Sequence, residues 1–126
     1  MKKVISTKNA PAAIGPYSQA IQAGDFLFVS GQIAIDPETG EQIKTTIAEQ
    51  TRRALKNMGA ILSEAGCSFS DVVKVTVYLT SMDYFKEMGE IYKTFFTENP
   101  PARAAVAVKE LPLGFDVEMD AIVKLP

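Results

Sequence analysis

Two charged residues and two glycine-containing turns are the places in this chain where chemistry could reside. In Asn99-Pro100-Pro101-Ala102-Arg103-Ala104-Ala105-Val106-Ala107-Val108 a single cation stands beside a short strand of small apolar residues that reads as buried. A guanidinium stays charged at any ordinary pH, and burying it unpaired costs several kcal/mol, roughly. Arg103 is therefore expected to meet an anion, and its planar donor fork suits a carboxylate, either of a protein side chain in a structural ion pair or of a bound substrate. The second charge is Glu118. Alternation over 117–125 puts Val117, Met119, Ala121, Val123 and Leu125 on one face and Glu118, Asp120, Ile122 and Lys124 on the other. Such acids form a solvated face, or, close to Arg103 and a substrate, Glu118 orients and partly deprotonates a water. Ser30-Gly31-Gln32 interrupts an apolar run, which signals a bulge or a group lying close to the backbone, whether ligand or neighbouring subunit. Ile14-Gly15-Pro16-Tyr17 reads as a turn that leaves Tyr17 as an interface aromatic or a pocket-lining hydroxyl.

Composition narrows the chemistry these residues could perform. The 126-residue chain suits one domain with a real core. It contains no His, which removes His-based triads and zinc sites together with the commonest general base. The single cysteine, Cys67, allows no internal disulfide and no thiolate cluster, so a reducing cytoplasm is the expected setting. Cys67 follows Gly66 at a helix end and reads as a small packing residue, not a reactive thiol. With a net charge of −2 and dispersed Lys and Arg, the chain shows no basic face for nucleic acid. Met1-Lys2-Lys3-Val4-Ile5-Ser6 starts as a signal peptide does but lacks the long apolar region, and no apolar run approaches the roughly 20 residues of a membrane span. No glycine loop of the phosphate-binding kind is present.

The elements that must position these groups follow from periodicity. Apolar runs over Tyr17 to Ala23 and Phe26 to Ile35, joined by Gly24-Asp25, predict a β-hairpin that ends at Asp36-Pro37-Glu38-Thr39-Gly40. Thr46-Ile47-Ala48-Glu49 has the spacing of a capping box and opens a helix with Ile47, Thr51, Ala54, Leu55, Met58, Ile61, Leu62 and Ala65 on one stripe. A strand over Val72 to Thr80 places Val73, Val75, Val77 and Leu79 on one face. A second helix, capped by Ser81 or Asp83, carries the stripe Met82, Phe85, Met88, Ile91, Tyr92, Phe95 and Phe96, whose aromatics read as core. Strands over Ala104 to Val108 and Val117 to Leu125 complete a single α+β domain in the order β-β-α-β-α-β-β. Two helices cover one face of such a sheet, yet the Ala104 to Val108 strand is apolar on both, so a homo-oligomer with small-molecule clefts between subunits is expected.

Three segments, Asn9-Ala10-Pro11-Ala12-Ala13-Ile14-Gly15-Pro16-Tyr17-Ser18-Gln19-Ala20, Phe28-Val29-Ser30-Gly31-Gln32-Ile33 and Pro101-Ala102-Arg103-Ala104, occur in the order of the signature segments of the RidA (YjgF) family, and the chain resembles that family over nearly its whole length. The resemblance implies a chorismate-mutase-like α+β fold assembled as a homotrimer with pockets between subunits. It also implies cofactor-independent hydrolysis of 2-imino acids, such as 2-iminobutanoate and 2-iminopropanoate, to 2-oxo acids and ammonia, removing reactive metabolites of amino acid metabolism. On this reading Arg103 holds the substrate carboxylate, Glu118 positions the water, and main-chain groups around Gly31 and Ala105 hold the imine end, with Tyr17 and Ser30 lining the pocket.

Two positions depart from the pattern of the resembled family. Ala105 stands where members often carry cysteine or another small polar residue, and Gly89 follows Met88 where many read Met-Asn. The first keeps a backbone contact, whereas the second loses a polar pocket contact and bears on substrate preference. Relatives resembling this chain are also described as 2-oxo acid-binding regulators, single-stranded RNA nucleases, translation inhibitors or holdases. An RNA nuclease needs a cationic track and stacking aromatics, against which the sequence pI of about 5.1 argues.

Overall fold

The computed structural model of the protein describes residues 1–126, and its elements change where the sequence periodicity changes. β1 (Lys2–Ile5) is an element that the periodicity does not reveal: only Ile5 of its four residues is buried, and hydrogen-bonded pairing with β2, not an apolar stripe, defines it. β2 (Ala20–Ala23) and β3 (Phe26–Gln32) form the expected hairpin, with Ala23 opposite Phe26 and Gly24 at φ 58°, a conformation that glycine adopts without a Cβ clash. β3 ends three residues before the expected Ile35, because Asn57 Nδ2 donates to the carbonyls of Ile33 (3.0 Å) and Ile35 (2.9 Å) and draws the chain out of the ladder.

α1 (Ile47–Glu64) starts where Thr46 Oγ1 accepts from the Glu49 amide at 3.0 Å. Half of the capping box forms, since the Glu49 carboxylate turns to Arg52. Ile47, Ala54, Leu55, Met58, Ile61 and Leu62 are buried as the stripe predicts. In β4 (Val72–Leu79) the buried valines are Val72, Val75 and Val77, whereas Val73, expected among them, is 43% exposed. A register shift between Val72 and Lys74 against the neighbouring strand turns Val73 outward. Ser81 caps a single 3-10 turn that leads into α2 (Phe85–Phe95), whose Met88 and Tyr92 are buried while Met82 stays exposed. Phe69 meets Phe95 and Phe96 edge-on at 5.4 and 5.3 Å, which places the aromatics of this stripe in the core.

β5 (Ala102–Ala107) and β6 (Val117–Lys124) complete a six-stranded mixed sheet in the order β1-β2-β3-β6-β4-β5. β4 and β5 run parallel, and every other pair is antiparallel. The domain is thus a single α+β unit, with Leu27, Val29, Val75, Val77, Leu79, Val117, Met119, Ala121 and Val123 joining the α1 and α2 stripes in one core. The opposite face leaves Phe26, Phe28 and Val106 exposed. β5 itself is exposed along most of its length instead of buried, since it is an edge strand with nothing beyond it in the chain's own sheet. No helix is long and apolar enough to cross a membrane.

Candidate functional site

Strand alternation sends the two charged candidates to opposite faces of the sheet. Glu118 pairs with Tyr78, whose neighbours Val77 and Leu79 point into the core, so Glu118 faces away from the helices. Arg103 pairs with Val75, a core residue, and therefore rises on the helix side, where it meets α2. Within one chain the two groups do not converge.

Glu118 sits beside the irregularity in β3. Val29 pairs with Ala121 and Gln32 with Met119, so Ser30 and Gly31 together oppose Asp120 alone, which is the bulge the internal glycine predicts. Gly31 also permits a close approach. A Cβ at that position would lie 2.5 Å from Glu118 Oε2 and 2.9 Å from its Cδ, so the carboxylate rests on backbone that only glycine leaves open. Ser30 Oγ donates to the Ser18 carbonyl at 2.6 Å, which ties the bulge to the loop carrying Tyr17 and engages the hydroxyl. That loop is further fixed by Gln19, whose Nε2 donates to the carbonyls of Thr7, Ala10 and Pro11 while Oε1 accepts from the Thr7 amide. Tyr17, Ser30, Gly31 and Glu118 line a hollow of about 630 Å³ together with apolar side chains that include Ile14 and Leu113. Burial raises the Glu118 carboxyl above its ordinary value, and the negative charge of Asp120 adds to the rise. A larger hollow of about 710 Å³ near β1 shares Tyr17 but is lined by no acid and only one cation, Lys8.

The structure leaves Arg103 without an intrachain ion pair: the only pairs in the chain are Arg52 with Glu49 and Lys93 with Glu90. Its guanidinium carbon lies 5.1 Å from the Phe85 ring centroid and 5.0 Å from that of Tyr92. Those rings belong to residues two turns apart on α2, and Gly89 lies on the same stripe between them. A Cβ on Gly89 would meet nothing within 4 Å, so the stripe is open between the two rings. Ala105, two residues along β5, packs against the core beside Val77. The Tyr92 phenol is buried, with no acceptor of the chain in reach, and its pKa is raised by burial against the opposing pull of Arg103. The arrangement offers a guanidinium about 5 Å from two aromatic ring centroids, with no acceptor of the chain on its N–H groups.

No three acidic or cysteine side chains converge as metal ligands. Periodicity alone gives no sign of Gln19, Asn57 or Gln50, three buried amides that fasten loops around the site, because their partners are backbone groups distant in sequence. The one available signal is a polar residue on an otherwise apolar stripe, as at Asn57 in α1.

Comparison with known proteins agrees with the segments that carry the resemblance. Residues 7–125 match the family described as Endoribonuclease L-PSP. A RutC family protein of Pyrococcus abyssi is 57% identical, covering 96% of this chain and 95% of its own. The mouse protein named 2-iminobutanoate/2-iminopropanoate deaminase is 51% identical over 97% of this chain and 90% of its own. Among solved structures, E. coli TdcF with bound serine superposes with a TM-score of 0.94 at 40% identity, covering 98% of this chain and 99% of that one. RidA from the Antarctic bacterium Psychrobacter sp. PAMC 21119 gives 0.93 at 41%, with the same coverage. A bulged glycine under a carboxylate, an arginine with free donor edges and an uncovered sheet face therefore belong to a chain that is a member of the RidA (YjgF) family.

Proposed function

We propose that the protein hydrolyses 2-imino acids to 2-oxo acids and ammonia, with 2-iminobutanoate and 2-iminopropanoate as substrates, in a site built between subunits of a homotrimer. The observation that carries this reading is Arg103, a guanidinium with no carboxylate of its own chain, braced by two rings. Its two parallel N–H groups suit the substrate carboxylate. Because Glu118 faces the other side of the sheet, the Arg103 of one copy and the Glu118 of the next complete one site. The uncovered apolar face supports that assembly, as does the exposed β5 edge.

The raised Glu118 carboxyl, made more basic by burial, suits a general base. It takes a proton from water as the oxygen bonds to the imine carbon, and hands that proton to the nitrogen, to which the C=N pair moves. Glu118 then takes the hydroxyl proton of the resulting carbinolamine and returns it to the nitrogen, which leaves as ammonia while C=O forms. One water is consumed, one ammonia is released and Glu118 ends as it began. Tyr17, Ser30 and Gly31, which line the hollow with Glu118, complete the site on one copy, and the Ala105 backbone with the open space over Gly89 completes it on the next. The mouse relative's name supports this reaction class, and serine bound to the E. coli neighbour supports an amino acid-like ligand. The family description names an endoribonuclease, but Glu118 and Asp120 share the face bearing the hollow and the net charge is −2, which repels phosphate.

The test generates 2-iminobutanoate and 2-iminopropanoate in place and follows oxo acid release with and without the protein, beside an arm with single-stranded RNA. Faster oxo acid release with intact RNA is the expected result; binding of 2-oxobutanoate without turnover would leave a sensor. A narrower expectation concerns Gly31→Ala. The new methyl displaces a flexible carboxylate, not backbone, so the melting temperature should stay within a few degrees while turnover drops about tenfold or more, the cost of misplacing a reacting group by about 1 Å. Unchanged turnover would show that the seat of Glu118 on Gly31 has no part in the reaction.

A further inference from the structure

The hollow beside Glu118 has one wall in a backbone conformation that leucine seldom adopts. Leu113 has φ 59° and ψ 16°, and Gly114 follows at φ 74°. The left-handed region disfavours any residue with a Cβ, and a branched apolar side chain has no local hydrogen bond to offset it. Leu113 is nevertheless held there. Lys44 Nζ donates to the Leu113 carbonyl, and the same ammonium lies 5.1 Å from the ring centroid of Phe115, which is fully buried. Lys44 thus ties the strained turn to a fixed point of the core from the segment preceding α1.

The folded chain gains little from the side chain that this arrangement displays. Leu113 is 58% exposed, and it lines the hollow with Ile14, Ile33, Ile35, Tyr17 and Glu118. A residue strained in its backbone and exposed in its side chain points to use at a site. We infer that Leu113 is a specificity-determining residue whose side chain, with the three isoleucines, receives the aliphatic side chain of the imino acid, and that Lys44 is its positioning residue. The inference rests on the imino acid reading above and adds a preference to it: larger aliphatic side chains over small or polar ones.

Leu113→Asn isolates the effect, because asparagine nearly matches leucine in shape and accepts the left-handed region. The measurement is kcat/KM for the imine derived from leucine relative to that derived from alanine, with solution mass and melting temperature recorded on the same samples. The ratio should fall about tenfold in Leu113→Asn and in Leu113→Gly, the scale of lost apolar contacts in a pocket. The melting temperature of Leu113→Asn should hold or rise. Lys44→Met should lower the ratio in the same direction. Binding of 4-methyl-2-oxopentanoate relative to 2-oxopropanoate, measured by calorimetry, reads the same preference without turnover. A parent that binds both oxo acids but hydrolyses neither imine would remove the deaminase reading and leave the wall to be judged by binding alone. Ratios unchanged within twofold in both Leu113 variants overturn the inference, and an altered mass with an unchanged ratio would make Leu113 an assembly contact instead.

Discussion

Arg103→Ala should lose imino acid hydrolysis by about 10²- to 10⁴-fold while the protein stays folded, because two charge-assisted hydrogen bonds of roughly 1.5–3 kcal/mol each disappear. Its structural contribution is small by comparison. The contacts with Phe85 and Tyr92 are made by an exposed guanidinium and are worth about 0.5–1 kcal/mol each, so the melting temperature should fall by only a few degrees. Arg103→Lys keeps the charge without the planar fork and should recover little activity. Placement of Arg103 and Glu118 on opposite faces supplies a sharper test. Arg103→Ala and Glu118→Gln proteins, each nearly inactive, should regain about one quarter of the parent rate when unfolded together and reassembled at random, since that fraction of sites joins an intact arginine to an intact glutamate. A mixture as inactive as its parts would place both groups in one subunit's site or remove one of them from the reaction.

Glu118→Gln should lower kcat by about 10²- to 10⁴-fold, the range over which a positioned base contributes, with 2-oxobutanoate binding changed far less. Its stability should move the other way. Burial, followed by the charge of Asp120, raises the Glu118 pKa above 4.5, so the folded chain holds that proton more tightly than the unfolded chain does. The parent is therefore relatively favoured in acid and loses that advantage as pH rises through the raised folded value. Glutamine carries no such charge. Glu118→Gln should melt higher than the parent at pH 7, and the difference should vanish below about pH 4.5. An equal difference at every pH would mean that shape, not ionisation, separates the two.

Most elements of the fold were legible because each rests on a local pattern: the α1 stripe, the alternation of β6, and the glycine turn between β2 and β3. β1 escaped because four residues with two lysines bury a single side chain, and its pairing with residues 20–23 is non-local. Val73 was misplaced because a bulge is a property of two strands, and one strand's sequence does not contain its partner's register. Of the site, Gly31 announced a bulge or a close neighbour, and both occur. The aromatic support of Arg103 was hidden in a helix stripe that reads as ordinary core, since periodicity says which face is apolar but not which cation crosses it. The left-handed Leu113 was invisible for the opposite reason: its residue type argues against the conformation it adopts.

The strand order also bears on when the chain can become a folded protein. β6 is the last strand in sequence yet lies between β3 and β4, and no other strand joins the β1-β2-β3 ribbon to the β4-β5 pair. A nascent chain that has emerged only as far as residue 116 therefore holds two separate pieces of sheet, each with an open edge where β6 will insert. Both open edges are ready templates for wrong pairing, and closing the β3 edge brings together residues as distant in sequence as Phe26 and Lys124. Folding is thus committed only once β6 has been made, and residues 1–116 have to wait for the strand that joins them.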